Sequence, residues 1–237
     1  MLSRSESKYI QSLHHKKQRD IEGLFLVEGP KIVDEVLKSH FVIKKIYATS
    51  SWINNHATNE TVVEVSEDEL QKISNHQTAH QVLVVVEKPT LRAKSNSKIS
   101  LVLDGIQDPG NFGTIIRIAD WFGITNIVCS EDCVELFNPK VIQSTMGSFI
   151  RTLVDYTDLP TWFSLNTLPV YGALLNGKNI KKVGTIDEGI IVIGNESKGI
   201  RSNILPFIQH PINIARVGQA ESLNASVATG IILSHIL

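Results

Sequence analysis

The chain has 237 residues, 42% of them hydrophobic and 20% charged, with 23 Lys and Arg against 24 Asp and Glu for a formal net charge of −1. That is length enough for one large or two modest domains with real cores, and the composition is ordinary for a globular protein rather than a disordered or fibrous one. Near-neutral charge excludes a global basic field, no apolar run approaches the ~18 residues of a membrane span, and the opening Met-Leu-Ser-Arg-Ser-Glu lacks a signal-peptide core, so a cytoplasmic protein is expected.

Residues 1 to about 87 alternate helical and strand patterns. Strands are predicted at 24–28, 43–48, 61–65 and 81–86, with a helix at 30–37 opened by Pro30 and another at 66–73 capped by Ser66. Residues 87–98 break the pattern with Pro89, serines and the cations Lys88, Arg92, Lys94 and Lys98, which reads as a linker. From residue 99 strands recur at 99–103, 126–129, 152–156, 170–175, 189–193 and 211–214 with helical patterns between them, as in a mostly parallel sheet covered on both faces. The expected organisation is therefore a small α/β domain at 1–87, a linker at 88–98 and a larger α/β domain at 99–237. Cys129 and Cys133, with no further cysteine to complete a metal set, are expected to be reduced thiols, and no metal is expected.

Three polar clusters lie where strands hand over to helices, the usual place for chemistry in α/β proteins. In the first, Asp108-Pro-Gly is turn chemistry and Asn111 reads as the N-cap of a helix bearing Ile115, Ile116, Ala119 and Phe122. Arg117 sits in that otherwise apolar helix and would need a partner if buried. The second, Gly194-Asn-Glu-Ser-Lys-Gly199, follows an apolar strand and carries Glu196, with Gly194 permitting close approach of a ligand to the backbone. The third places Ser222, Asn224 and Ser226 at the start of the last helix, whose apolar residues occupy more than one face. Gly105, Gly110 and Gly113 are spaced G-x4-G-x2-G, and no glycine loop is followed by Gly-Lys-Ser/Thr, which argues against a dinucleotide fold and a P-loop.

Together, N-x5-R, then G-x-E-x-x-G, then S-L-N-x-S, in that order, resemble the three motifs of the SpoU/TrmH-type RNA ribose 2′-O-methyltransferases of the SPOUT class, over roughly residues 99–237. The stretch Phe25-Leu-Val-Glu-Gly-Pro-Lys31 is similar to the ribosomal-protein-like RNA-binding domain of many members. Ala225 departs from the valine common in the third motif, and Ile118 from the small hydroxyl residue usual after the arginine.

The resemblance implies a deep trefoil knot in the C-terminal domain, S-adenosylmethionine held by Gly194, Ile214 and Leu223, and a homodimer. It implies Asn111, Arg117, Glu196, Ser222 and Asn224 as catalytic residues. The family arginine acts at the 2′-hydroxyl as base or as the group that orients it. With a pKa above about 12 an arginine is a poor base, which favours positioning and charge stabilisation. Six helical residues separate Asn111 and Arg117 by about 120° around the axis, so the two converge only if Asn111 lies in the loop.

RNA, ribosomal rather than transfer, is the partner expected, and the N-terminal cations Arg4, Lys8, Lys16, Lys17 and Arg19 are the best patch for it, with a solvated helix face as the alternative. The rival functions are methylation of tRNA, a non-catalytic RNA-binding or ribosome-assembly protein that keeps the fold, and an unrelated nucleotide-using α/β enzyme.

Overall fold

In the computed structural model the chain is described over residues 2–89 and 97–237. It divides into two compact units, Met1–Arg92 with Phe137–Ile150, and Ala93–Leu136 with Arg151–Leu237. Residues 90–96, which include Arg92 and Lys94 of the expected linker, lie outside the described residues.

The first unit opens with two short helices. α1 (Arg4–Ser12) starts where the Ser3 hydroxyl accepts from the Glu6 amide at 3.1 Å, and α2 (Lys16–Glu22) ends at Gly23 with φ +64. Then come β1 (Leu24–Glu28), α3 (Pro30–Leu37) with Pro30 in its first turn, β2 (Ile43–Ala48), α4 (Ser50–Ile53), β3 (Val62–Glu64), α5 (Glu67–Ile73) and β4 (Val82–Glu87). As predicted, Ser66 caps α5, and Glu69 returns the bond to complete a capping box. The four strands form a mixed sheet in the order β1-β4-β2-β3, with β4 antiparallel to both neighbours. Ile10, Leu13, Leu26, Leu70, Ile73 and Leu83 make its core.

That core draws in a charged residue. Arg19 is 1% exposed, donates from Nη1 to the Leu13 carbonyl at 2.8 Å, and has its pKa lowered by burial against the pull of Asp20. It is therefore withdrawn from the surface patch expected from the sequence: its place in α2 faces the sheet, and residue type alone gives no sign of that.

The second unit is built on a sheet of six parallel strands, as the alternation of strands and helices predicts. It comprises β5 (Ile99–Asp104), α6 (Pro109–Trp121) and β6 (Asn126–Ser130). The next helix, α7 (Pro139–Thr145), belongs to the first unit, where Phe137 and Phe149 pack on Phe25 with ring centroids 4.5 and 5.9 Å away. The second unit resumes with β7 (Leu153–Thr157), α8 (Leu159–Ser164), β8 (Val170–Asn179), β9 (Gly189–Gly194), β10 (His210–Asn213) and α9 (Ala225–Ile236). The strand order is β10-β8-β9-β5-β6-β7, and every pairing is parallel. β5 and β9 lie in the interior of the sheet, buried on both faces, which is why they read as unbroken apolar runs.

Two helix starts differ from expectation. Asn111 is inside α6 rather than capping it: the cap is Asp108, whose Oδ1 accepts from the Asn111 amide at 2.8 Å. Proline decides the matter, since Pro109 suits the first helical position and forces the residue before it into an extended conformation. At α9, expected to begin with Ser222, Asn224 and Ser226, Asn224 is the cap and Ser222 precedes the helix. Among the described residues no helix is long and apolar enough to cross a membrane.

Candidate active site

Asp104 and Gly194 end adjacent strands and pair with each other in the ladder. The connections leaving them, together with the start of α9, bring the three sequence motifs to one place. Asn111 Nδ2 donates to Glu196 Oε1 at 2.7 Å, and Asn224 Nδ2 donates to Asn111 Oδ1 at 2.8 Å. Asn224 Oδ1 in turn accepts from the Ser226 hydroxyl at 2.6 Å and from the Ser226 and Val227 amides at 3.0 and 3.3 Å. The cap fixes which end of Asn224 is oxygen, so its nitrogen must face Asn111, and Asn111 must then offer its own nitrogen to the carboxylate. The cluster is a directed chain that starts at a helix N-terminus and ends on Glu196. The Asn224 cap also contributes about 0.5–2 kcal/mol to the helix.

The turn carrying Glu196 is narrow. Asn195 and Gly199 exchange backbone hydrogen bonds at 3.1 and 2.9 Å. A Cβ on Gly194 would lie 2.3 Å from the Gly199 carbonyl carbon and 2.4 Å from the Ile200 nitrogen. The group that approaches the backbone of Gly194 is thus the chain itself. Below the turn, Asp104 is fully buried and its carboxylate takes the Arg201 amide at 2.7 Å and Arg201 Nε at 2.5 Å, with Arg201 Nη1 3.4 Å from Asp132. Burial works against the Arg201 charge, but its bonds to Asp104 and the fields of Asp104, Asp132 and Cys133 outweigh that and raise its pKa.

The remaining expected residues stand apart from this chain of bonds. Arg117 lies on α6 with Asn111 but about 120° around the helix and ~9 Å along it. It is exposed and has no hydrogen-bond or ion-pair partner among the described residues, so no buried charge needs compensating there. Ser222 is exposed, within a run from residue 215 to 224 that is exposed at every position. Ile214 is half-buried just after β10, and Leu223 is 46% exposed.

The loop ends carry groups of the kind that an adenine-bearing ligand would use. Asn213 Oδ1, beside Ile214, is buried and unpartnered, and the exposed Val217 and Leu223 offer apolar surface to a ring. Cavities of about 580 Å³, along α5, and 460 Å³, around Tyr171 and Glu188, contain none of the expected residues. Of the N-terminal cations, Arg4, Lys8, Lys16 and Lys17 are exposed. Cys129 and Cys133 are buried thiols that form no disulfide.

Sequence reading missed Asp104, Asn195 and Arg201, which brace the site. A signal existed for Asp104, a carboxylate ending an otherwise apolar strand, since a charge so placed requires a partner. Its partner Arg201, just past the turn glycine, lies 97 positions along the chain, and nothing local marks the pairing.

A family model described as the SpoU rRNA Methylase family matches residues 98–234, and one described as an MRM3-like substrate binding domain matches residues 5–84. The 23S rRNA (guanosine(2553)-2′-O)-methyltransferase RlmP of Bacillus subtilis is 31% identical over 233 residues, covering 95% of this chain and 93% of that protein. The solved structure of a putative RNA methyltransferase of the TrmH family from Porphyromonas gingivalis superposes with a TM-score of 0.87 at 33% identity, covering 99% of this chain and 98% of the other. An AdoMet-bound rRNA methyltransferase from Sinorhizobium meliloti does so at 0.85 with 25% identity, covering 99% and 95%.

Proposed function

The chain belongs to the SpoU rRNA methylase family, and from that premise we propose that it transfers a methyl group from S-adenosylmethionine to a ribose 2′-hydroxyl of structured ribosomal RNA. One observation carries the reading: residues 85 and 113 positions apart in sequence, one from each motif, meet in the single hydrogen-bonded chain Asn224–Asn111–Glu196. A non-catalytic RNA-binding protein needs no such convergence.

Methyl transfer is an in-line displacement, so the 2′-oxygen must be aligned with the carbon, relieved of its proton and shielded from water. Bound S-adenosylmethionine supplies an electrophilic methyl on a sulfonium, and the backbone around Gly194, Ile214 and Leu223 would hold it. Asn111 and Asn224 organise the wall between donor and acceptor, and Glu196 anchors its far end. Ser222, one residue before Leu223, offers a hydroxyl to the same wall. Arg117 orients the 2′-hydroxyl and its neighbouring phosphate, which would take the hydroxyl proton as the new O–C bond forms, and its charge stabilises the negative charge that develops on the oxygen. The family knot in the C-terminal domain is part of the same reading, as is the division into a substrate-binding domain at 1–87, a linker at 88–98 and a methyltransferase domain at 99–237.

A homodimer completes it. Trp121, one helical turn beyond Arg117, is 85% exposed, and Val227 at the start of α9 is 50% exposed; α6 and α9 pack together, with Gly230 facing Ile118. A second copy covering this face would shield Trp121 and Val227 and give Arg117 a setting that one chain does not.

The test combines titration calorimetry with S-adenosylmethionine, tritiated-methyl incorporation into ribosomal RNA lacking its modifications, and sedimentation. Expected are saturable binding, label stable to base cleavage at one ribose, and twice the chain mass. Absence of both binding and label would refute the enzymatic reading, and a single-chain mass would refute the dimer.

For RNA, Arg4, Lys8, Lys16 and Lys17 remain as the proposed patch. Replacing Lys16 and Lys17 with alanine is expected to weaken RNA binding and to reduce the slope of log K against log salt by roughly 1 to 2, about one for each phosphate that is no longer neutralised. An unchanged slope would assign these lysines to a solvated surface.

A further inference from the structure

Asn195, the residue between the glycine and the glutamate of the second motif, uses its side-chain amide at both ends. Oδ1 accepts from the Ser197 and Lys198 amides at 2.9 and 3.1 Å, which shapes the turn, while Nδ2 donates to the Gly105 carbonyl at 2.8 Å. Gly105 lies just past Asp104 at the end of the neighbouring strand, and its amide is in turn held by the Ser130 hydroxyl at 2.8 Å. One foot of the turn is therefore tied to the start of the connection that leads to Asn111.

The other foot is tied to the same strand end. Arg201 gives its amide and its guanidinium to the buried Asp104, whose two oxygens are both occupied. Between the feet stands Glu196, half-buried, with Asn111 on Oε1. A turn fixed only by its own backbone could pivot about the end of β9, whereas one fixed at both feet to β5 cannot move Glu196 without breaking a bond to a buried group.

We propose that Asn195, with the Asp104–Arg201 pair as second foot, is a positioning residue that sets where Glu196 meets Asn111, and so controls turnover rather than substrate binding. This rests on the enzymatic reading above. Glutamate can receive Asn111 in many geometries, but the amide chain from Asn224 tolerates displacements of only a few tenths of an ångström before its bonds weaken.

The test is a double-mutant cycle on methyl transfer with Asn195→Ala, Asn195→Asp and Glu196→Ala in the full-length protein. Asn195→Ala should lower kcat about 30-fold and leave KM for RNA within about threefold; with Glu196 already replaced, it should cost less than about threefold more. Asn195→Asp keeps the acceptor that forms the turn and loses the donor to Gly105, so it should fold as the parent does and lose turnover like the alanine variant. Losses that simply multiply, or an Asn195→Asp variant at parental turnover, would overturn the proposal while leaving the enzyme assignment intact. An unsubstituted protein that transfers no methyl to any ribosomal RNA would instead overturn the enzymatic reading, and this one with it.

Discussion

Replacing Arg117 with alanine is expected to reduce methyl transfer about 10²–10³-fold, the usual cost of removing one group that stabilises transition-state charge, while melting stays within about 2 °C of the parent. Both effects have the same origin. Arg117 is exposed and makes no hydrogen bond or ion pair among the described residues, so its removal leaves no cavity and orphans no buried group. A residue with no hydrogen bond or ion pair to keep among the described residues, on a helix whose opposite side is packed, is free to serve a substrate. Arg117→Lys separates charge from shape: if the guanidinium orients both hydroxyl and phosphate through its planar fork, lysine recovers only part of the rate. Turnover of the alanine variant near the parental rate, with RNA binding unchanged, would remove Arg117 from the mechanism.

Gly194→Ala should act through the opposite route. The added methyl would lie 2.3 to 2.6 Å from three backbone atoms of Gly199 and Ile200, none of which can rotate away as a side-chain end would. Overpacking of this kind costs about 1–3 kcal/mol, and with about 2–4 °C per kcal/mol for a chain of this size melting should fall by several degrees. Relief is possible only by opening the turn, which carries Glu196 away from Asn111, so turnover should fall together with stability. Parental melting and turnover would mean that the turn is looser than its geometry implies.

What the sequence made legible follows from the range of the forces involved. β5 and β9 were readable because a strand buried on both faces must be apolar throughout, which is a local property. The cap of α6 was misplaced although the information was local too: Asp108 and Asn111 are both good caps, and only the preference of Pro109 for the first helical position separates them. The burial of Arg19 and the membership of α7 in the first unit were not readable, since each depends on what packs against a segment from far along the chain. The same holds for the amide chain. Spacing argued that Asn111 and Arg117 diverge if both are helical, and they do; that Asn111 instead meets Glu196 and Asn224 was available only through the resemblance of the motifs.

The amide chain has a consequence for how the protein ages. Asn111, Asn195 and Asn224 each use nitrogen and oxygen for different partners, and asparagine is among the heat-labile side chains. Hydrolysis to aspartate changes one atom group and almost no volume, yet at position 111 it would set a second carboxylate against Glu196, and at 195 or 224 it would leave a carbonyl oxygen facing another acceptor. The weak point of this site on prolonged heating is therefore covalent: a chemically aged molecule keeps nearly the same volume and packing and has still lost the wiring of its centre.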